Sequence, residues 1–146
     1  MYSPAELSFA LRRGVPVLDV RPPDEFARGH VDGAVSVPLY RPITGLSPRA
    51  VARRAVFAFF GVLNGTEANP DFLADAAAAL GRRRTCVLIC NIGGTMEETE
   101  TNRAGQMSRS LSAAYELVRA GVVNDVGVLR GGVSGWLRAD RETVGE

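Results

Sequence analysis

The chain has 146 residues, 46% of them hydrophobic, two cysteines and a formal net charge of +1. That is enough apolar material for the core of one ordinary domain without metal or disulfide staples, and the balanced charge excludes a broad basic surface for nucleic acid. All 17 cationic side chains are arginine, a sign of codon bias, and no stretch approaches the length of a membrane span. The order of elements starts within the first residues. Ser3-Pro4-Ala5-Glu6 supplies an N-cap serine, a proline at the first helical position and a glutamate three after the cap, predicting a short helix over 4–13 ended by Gly14. No room is left for a cleavable presequence, so the chain is made without one or is a processed form. Val15-Pro16-Val17-Leu18-Asp19-Val20 is apolar on both faces, as in a strand of a parallel sheet covered on both sides. Residues 21–26 turn it into a helix, and Gly29-His30-Val31-Asp32-Gly33 leads to a second strand, Ala34 to Val37.

Further on, Ser47-Pro48 opens a helix, Val56 to Leu63 is an apolar stretch read as a helix tucked into the core, and Asn69-Pro70-Asp71 caps a helix through Leu80 that Gly81 stops. Arg82-Arg83-Arg84 reads as a solvated loop edge. Cys86 to Cys90 forms a central strand, residues 91–107 a long polar loop, and Leu111, Ala114, Tyr115 and Val118 recur at helical spacing up to Gly121. Val126 to Leu129 is a last strand. Alternating helices and strands with continuous apolar strands predict an α/β fold with a central parallel sheet and helices on both faces.

Leu18-Asp19-Val20-Arg21, Glu25-Phe26, Gly29-His30-Val31, Gly33-Ala34 and Pro38 resemble the N-terminal signature of rhodanese-like domains, and Arg130-Gly131-Gly132 with Trp136 resembles the C-terminal one. The resemblance spans essentially the whole chain and implies one rhodanese-like domain over 1–146. One position departs from it. The family usually has Ser or Thr where Pro22 stands, and Pro22 has neither the hydroxyl to cap the helix nor the amide for Glu25 to reach. Glu25 is therefore expected to face the helix dipole or Arg21.

Cys90 ends an apolar strand, the place where sites lie in open α/β sheets, and Ser108-Arg109-Ser110 opens the next helix. Amides and a positive helix end aimed at a thiol make an acidic, nucleophilic cysteine. In the family pattern an arginine-serine pair follows the nucleophile by about five residues, whereas Arg109-Ser110 begins 19 residues after Cys90. Two alignments compete: an active Cys90 at the head of an expanded loop, or a lost active site with Cys90 as a strand residue. We favour the first, because counting back five from Arg109 reaches Ala104, which follows a polar stretch. The 90–96 segment, Thr99, Asn102, Gly105-Gln106 and Ser108-Arg109-Ser110, together with Phe59-Phe60-Gly61, Gly65-Thr66-Glu67 and Asn69-Pro70, also resemble a plant-type, plastid-associated rhodanese-like subgroup with an expanded loop.

That resemblance implies a sulfurtransferase: Cys90 takes a sulfane sulfur from thiosulfate or a persulfide and passes it to a thiol. The persulfide is held by amides near Gly93 and Gly94 or Gly105 to Ser108, and by Arg109 and Ser110, with no metal or organic cofactor. It also implies a plastid location; otherwise the two cysteines suit any reducing compartment. Cys86 reads as core, His30 as a turn residue, and Asp19 with Arg21 as a structural pair. A cysteine phosphatase or arsenate reductase needs cysteine and arginine a handful of residues apart, so 19 is too far. The competing reading is a catalytically silent module that binds a protein partner through the 91–107 loop, whose Glu97, Glu98 and Glu100 would repel anionic donors.

Overall fold

The N-terminal helix α1 (Pro4–Arg12) forms as its capping box dictates: Ser3 Oγ accepts from the Glu6 amide at 3.2 Å and a Glu6 carboxylate oxygen from the Ser3 amide at 2.7 Å. The molecule is a computed structural model that describes residues 1–42, 66–92 and 108–145. The expected helices beginning at Ser47 and running from Val56 to Leu63, the acidic cluster Glu97, Glu98 and Glu100, and Gly93 and Gly94 lie outside those residues.

Strand β1 (Val17–Asp19) pairs in parallel with β2 (Val35–Ser36) on one side and β5 (Thr85–Ile89) on the other, and β5 pairs in parallel with β6 (Asp125–Val128). The sheet order is β2-β1-β5-β6. Side chains alternate across it, so each strand feeds two cores. Leu18, Cys86, Leu88 and Cys90 pack on one face against α3 (Phe72–Leu80) and α4 (Arg109–Arg119). Val17, Val87 and Ile89 pack on the other face against Leu7 of α1 and Val133 and Trp136 of α5 (Gly132–Arg138). Each fully buried leucine contributes about 2 kcal/mol of burial free energy.

Helix α2 (Pro23–Arg28) starts at Pro22 with no side-chain cap, as the sequence predicts. Within the expected capping stretch of α3, Asn69 to Asp71, it is Asn69 whose side chain makes the bond. Asp71 makes no side-chain cap bond; instead Asn69 Oδ1 accepts from the Asp71 amide at 3.1 Å while its Nδ2 donates to the Pro38 carbonyl at 3.0 Å. A two-stranded antiparallel pair, β3 (Tyr40–Pro42) with β4 (Thr66–Ala68), was not foreseen. Three residues per strand are too few to show a period of two.

The buried face of α4 also differs from expectation. It consists of Ser110, Leu111, Ala113 and Leu117, whereas Tyr115 is 62% and Val118 49% exposed. Ser110 and Ala113 are small and carry little hydropathy, so the apolar stripe read from the sequence lies rotated from the side that meets the sheet. The arginine run is exposed as expected but engaged: Arg83 and Arg84 donate to the carbonyls of Gly14 and Gly121, which follow the C-termini of α1 and α4. No helix among the described residues is long and apolar enough to cross a membrane.

Candidate functional site

The alternation along β5 decides where the two cysteines go. Cys86, at 0% exposure, lies inside the α3/α4 core, where burial first and the Asp125 charge second push its thiol up to about 11. Cys90 lies one residue past the strand's end on the same face and is 1% exposed. The cysteines are not joined to each other.

The backbone that carries Cys90 is fixed from the opposite face. The Val133 amide donates to the Cys90 carbonyl at 2.8 Å and the Ser134 amide to the Asn91 carbonyl at 3.1 Å. The otherwise orphan donors at the start of α5 are thus satisfied by the stretch that leaves β5. Gly132 makes this approach possible, since it sits at φ +58° and a Cβ there would stand 2.2 Å from the Cys90 carbonyl oxygen. This is the physical content of the paired glycines in the C-terminal signature.

On the side of α4, Ser108 caps the helix, its Oγ accepting from the Leu111 amide at 3.2 Å. Ser110 is fully buried, and among the described residues its hydroxyl has no hydrogen-bond partner. Arg109 faces Glu25, its two terminal nitrogens 3.4 and 3.3 Å from the two carboxylate oxygens. The same carboxylate accepts from Asn91 Nδ2 at 2.8 Å. Glu25 therefore links the residue after Cys90 to the arginine that opens α4, and brings the ends of the long connection together.

This corrects the expectation that Glu25 turns to Arg21 or to its own helix. Arg21 is committed elsewhere: its Nε and terminal nitrogen hold both oxygens of Asp19 at 2.7 to 3.1 Å, and the terminal nitrogen also donates to the Gly29 carbonyl at 2.8 Å. Both partners are buried, which bears out their reading as a structural pair. His30 is structural as well. Its ring stacks on Phe26 with centroids 3.7 Å apart, Nδ1 bonds the Phe26 carbonyl at 2.9 Å, and its backbone bridges to Val144.

Beside Asn91 lies a cleft of about 480 Å³ bounded by Arg21, Glu25, Arg28, Ser134 and Thr143. Of the expected site residues, Cys90, Ser108, Arg109 and Ser110 are placed around the end of β5 and the start of α4. Sequence reasoning missed Glu25 and Asn91 as members of this group. The missing cap at Pro22 was the available signal, because it leaves Glu25 without its usual local partner. Among the described residues no three His, Cys, Asp or Glu side chains are grouped as metal ligands would be.

Residues 3–139 match the rhodanese-like domain. The chain belongs to the rhodanese-like domain family. This rhodanese-like domain is 44% identical over 120 residues to rhodanese-like domain-containing protein 14, chloroplastic, of Arabidopsis thaliana, covering 82% of this chain and 53% of that protein. It is 30% identical over 86 residues to thiosulfate sulfurtransferase 16, chloroplastic, of the same plant, covering 58% of this chain and 55% of that one. The chain thus spans about half the length of the curated relatives it matches. Among solved structures, the rhodanese-like domain of an Anabaena protein superposes with a TM-score of 0.60 at 17% identity, covering 100% of this chain and 79% of that one. At that identity the likeness establishes the fold, which is the rhodanese-like fold with its parallel sheet between two layers of helices.

Proposed function

We propose that this rhodanese-like domain is a sulfurtransferase in which Cys90 carries the transferred sulfur. The Cys90 thiolate attacks the outer sulfur of a donor such as thiosulfate or a persulfide; the donor's S–S bond breaks, sulfite or a thiolate leaves, and a Cys90 persulfide remains. A thiol or other nucleophile then takes the outer sulfur and regenerates the thiolate, with no net oxidation. The Glu25 bridge carries this reading. It brings Arg109, 19 residues from Cys90 in sequence, to the side chain of Asn91, the residue next to Cys90. The positive end of α4, Arg109 and Ser110 then serve the anionic persulfide, with the loop amides near Gly93 and Gly94 as further donors. The donor is a small sulfur compound or a protein persulfide, and the chloroplastic relatives support a plastid setting.

The test is cyanolysis: thiosulfate plus cyanide, read as thiocyanate, in the parent and in Cys90→Ser, with a persulfide donor run in parallel. Transfer that disappears in Cys90→Ser is the expected result. The burial of Cys90 favours one other reading, a catalytically silent module that binds a protein partner through the 91–107 loop. Absence of transfer from every donor, with a partner held equally by parent and Cys90→Ser, is the outcome that selects it.

A further inference from the structure

We propose that Glu25 is a built-in carboxylate competitor for the anion site of Arg109, so that an oxyanion donor must displace it; this rests on the sulfurtransferase reading and names the donor class that the site disfavours. Glu25 is free for the task because Pro22 offers it no box to close, and α2 begins without a side-chain cap. Its two oxygens face the two terminal nitrogens of Arg109 in the forked arrangement by which a guanidinium takes a carboxylate, a sulfonate or a phosphate.

The fork is a long one. At 3.3 and 3.4 Å it is looser than the 2.7 Å contact between Arg21 and Asp19, and longer than a well-made charge-assisted bond. Both side chains are a little over a quarter exposed, at 27% and 28%, so an anion from solvent can reach the guanidinium. Among the described residues, the other two arginines beside the cleft have partners: Arg21 is buried on Asp19 and the Gly29 carbonyl, and Arg28 pairs with Asp24. Arg28 sits in an exposed pair within its own helix, whereas the Arg109 pair reaches Asn91, the residue next to Cys90. The 2.8 Å bond from Asn91 keeps Glu25 in place when the guanidinium lets go. A small dianionic donor thus meets a carboxylate already seated on the arginine it needs, whereas a donor whose sulfur arrives without an oxyanion group does not.

Glu25→Gln isolates the charge, since the amide oxygen still accepts from Asn91. The measurement is thiosulfate binding by titration calorimetry at low salt in the Cys90→Ser protein, where no sulfur can be transferred and affinity is read alone. Glu25→Gln is expected to tighten binding about fivefold, the upper range for a partly exposed pair, and the gain is expected to vanish when Arg109→Ala is added. Equal or weaker binding in Glu25→Gln, or a gain that survives Arg109→Ala, overturns the proposal. Cyanolysis by the unmutated chain is followed alongside: its absence counts against sulfur transfer, while the binding comparison decides the role of Glu25.

Discussion

A Cβ on Gly132 would stand 2.2 Å from the carbonyl oxygen of Cys90, the same oxygen that accepts the Val133 amide at 2.8 Å. Helix α5 and the end of β5 meet backbone to backbone at this point, and neither can give way without dragging the candidate nucleophile. Gly132→Ala combines this clash with a positive φ and is expected to destabilise the chain by roughly 2–4 kcal/mol. Urea unfolding checks it, and a change within about 0.5 kcal/mol would show that the two backbones can separate.

The Asp19–Arg21 pair lies next to that junction and is almost wholly buried. Arg21→Met keeps the bulk of the side chain but leaves the Asp19 carboxylate buried without its cation, and the expected loss is about 3–5 kcal/mol. Asp19→Asn/Arg21→Met is expected to recover a large part of it, because the uncompensated charge is then gone. Equilibrium denaturation of the single and double variants gives the comparison.

Much of this architecture was legible in the sequence, and the reasons are local. The box at Ser3 and Glu6, the two-sided apolar runs at Val17 and Val87 and the glycines at 14, 81 and 121 each act within a few residues, and the structure places their elements where those signals point. Three features were not legible. Strands β3 and β4 are three residues each, held by a register between Tyr40 and Ala68 that no short window contains. The buried side of α4 combines Leu111 and Leu117 with Ser110 and Ala113, and the last two are small residues that hydropathy does not distinguish from a surface. The Glu25–Arg109 contact spans 84 positions, and only the absent cap at Pro22 hinted that Glu25 looks elsewhere.

Burial of Cys86 sets a pH dependence with a definite sign. Its thiol titrates at about 11 in the folded chain against an ordinary value of 9.0, because burial and Asp125 oppose the thiolate. The neutral thiol's contribution is fully present below about pH 9 and is lost as pH rises through 11, a fall of roughly 2–3 kcal/mol. Cys86→Ala is expected to flatten that part of the stability profile relative to the parent, measured by urea unfolding at pH 8, 9.5 and 11. Parallel profiles would show that Cys86 ionises alike in both states.

Ser110 separates stability from chemistry. Its buried hydroxyl has no partner among the described residues, so Ser110→Ala is expected to leave stability unchanged or raise it by about 1 kcal/mol. If that hydroxyl serves the Cys90 sulfur as proposed, the same variant transfers sulfur more slowly. Thermal unfolding and cyanolysis on one preparation read both effects, and a loss of stability with unchanged turnover would assign Ser110 to packing alone.

Cys90 rather than Cys86 is the proposed carrier of the sulfur, and peptide mass mapping after brief exposure to thiosulfate tests this most directly. Cys86 is held in the core with its thiol raised, so the expected result is one added sulfur atom on the peptide containing Cys90 at the Cys90 position, removed by cyanide and absent in Cys90→Ser. Sulfur found at Cys86, or on neither cysteine with any donor, would contradict the account.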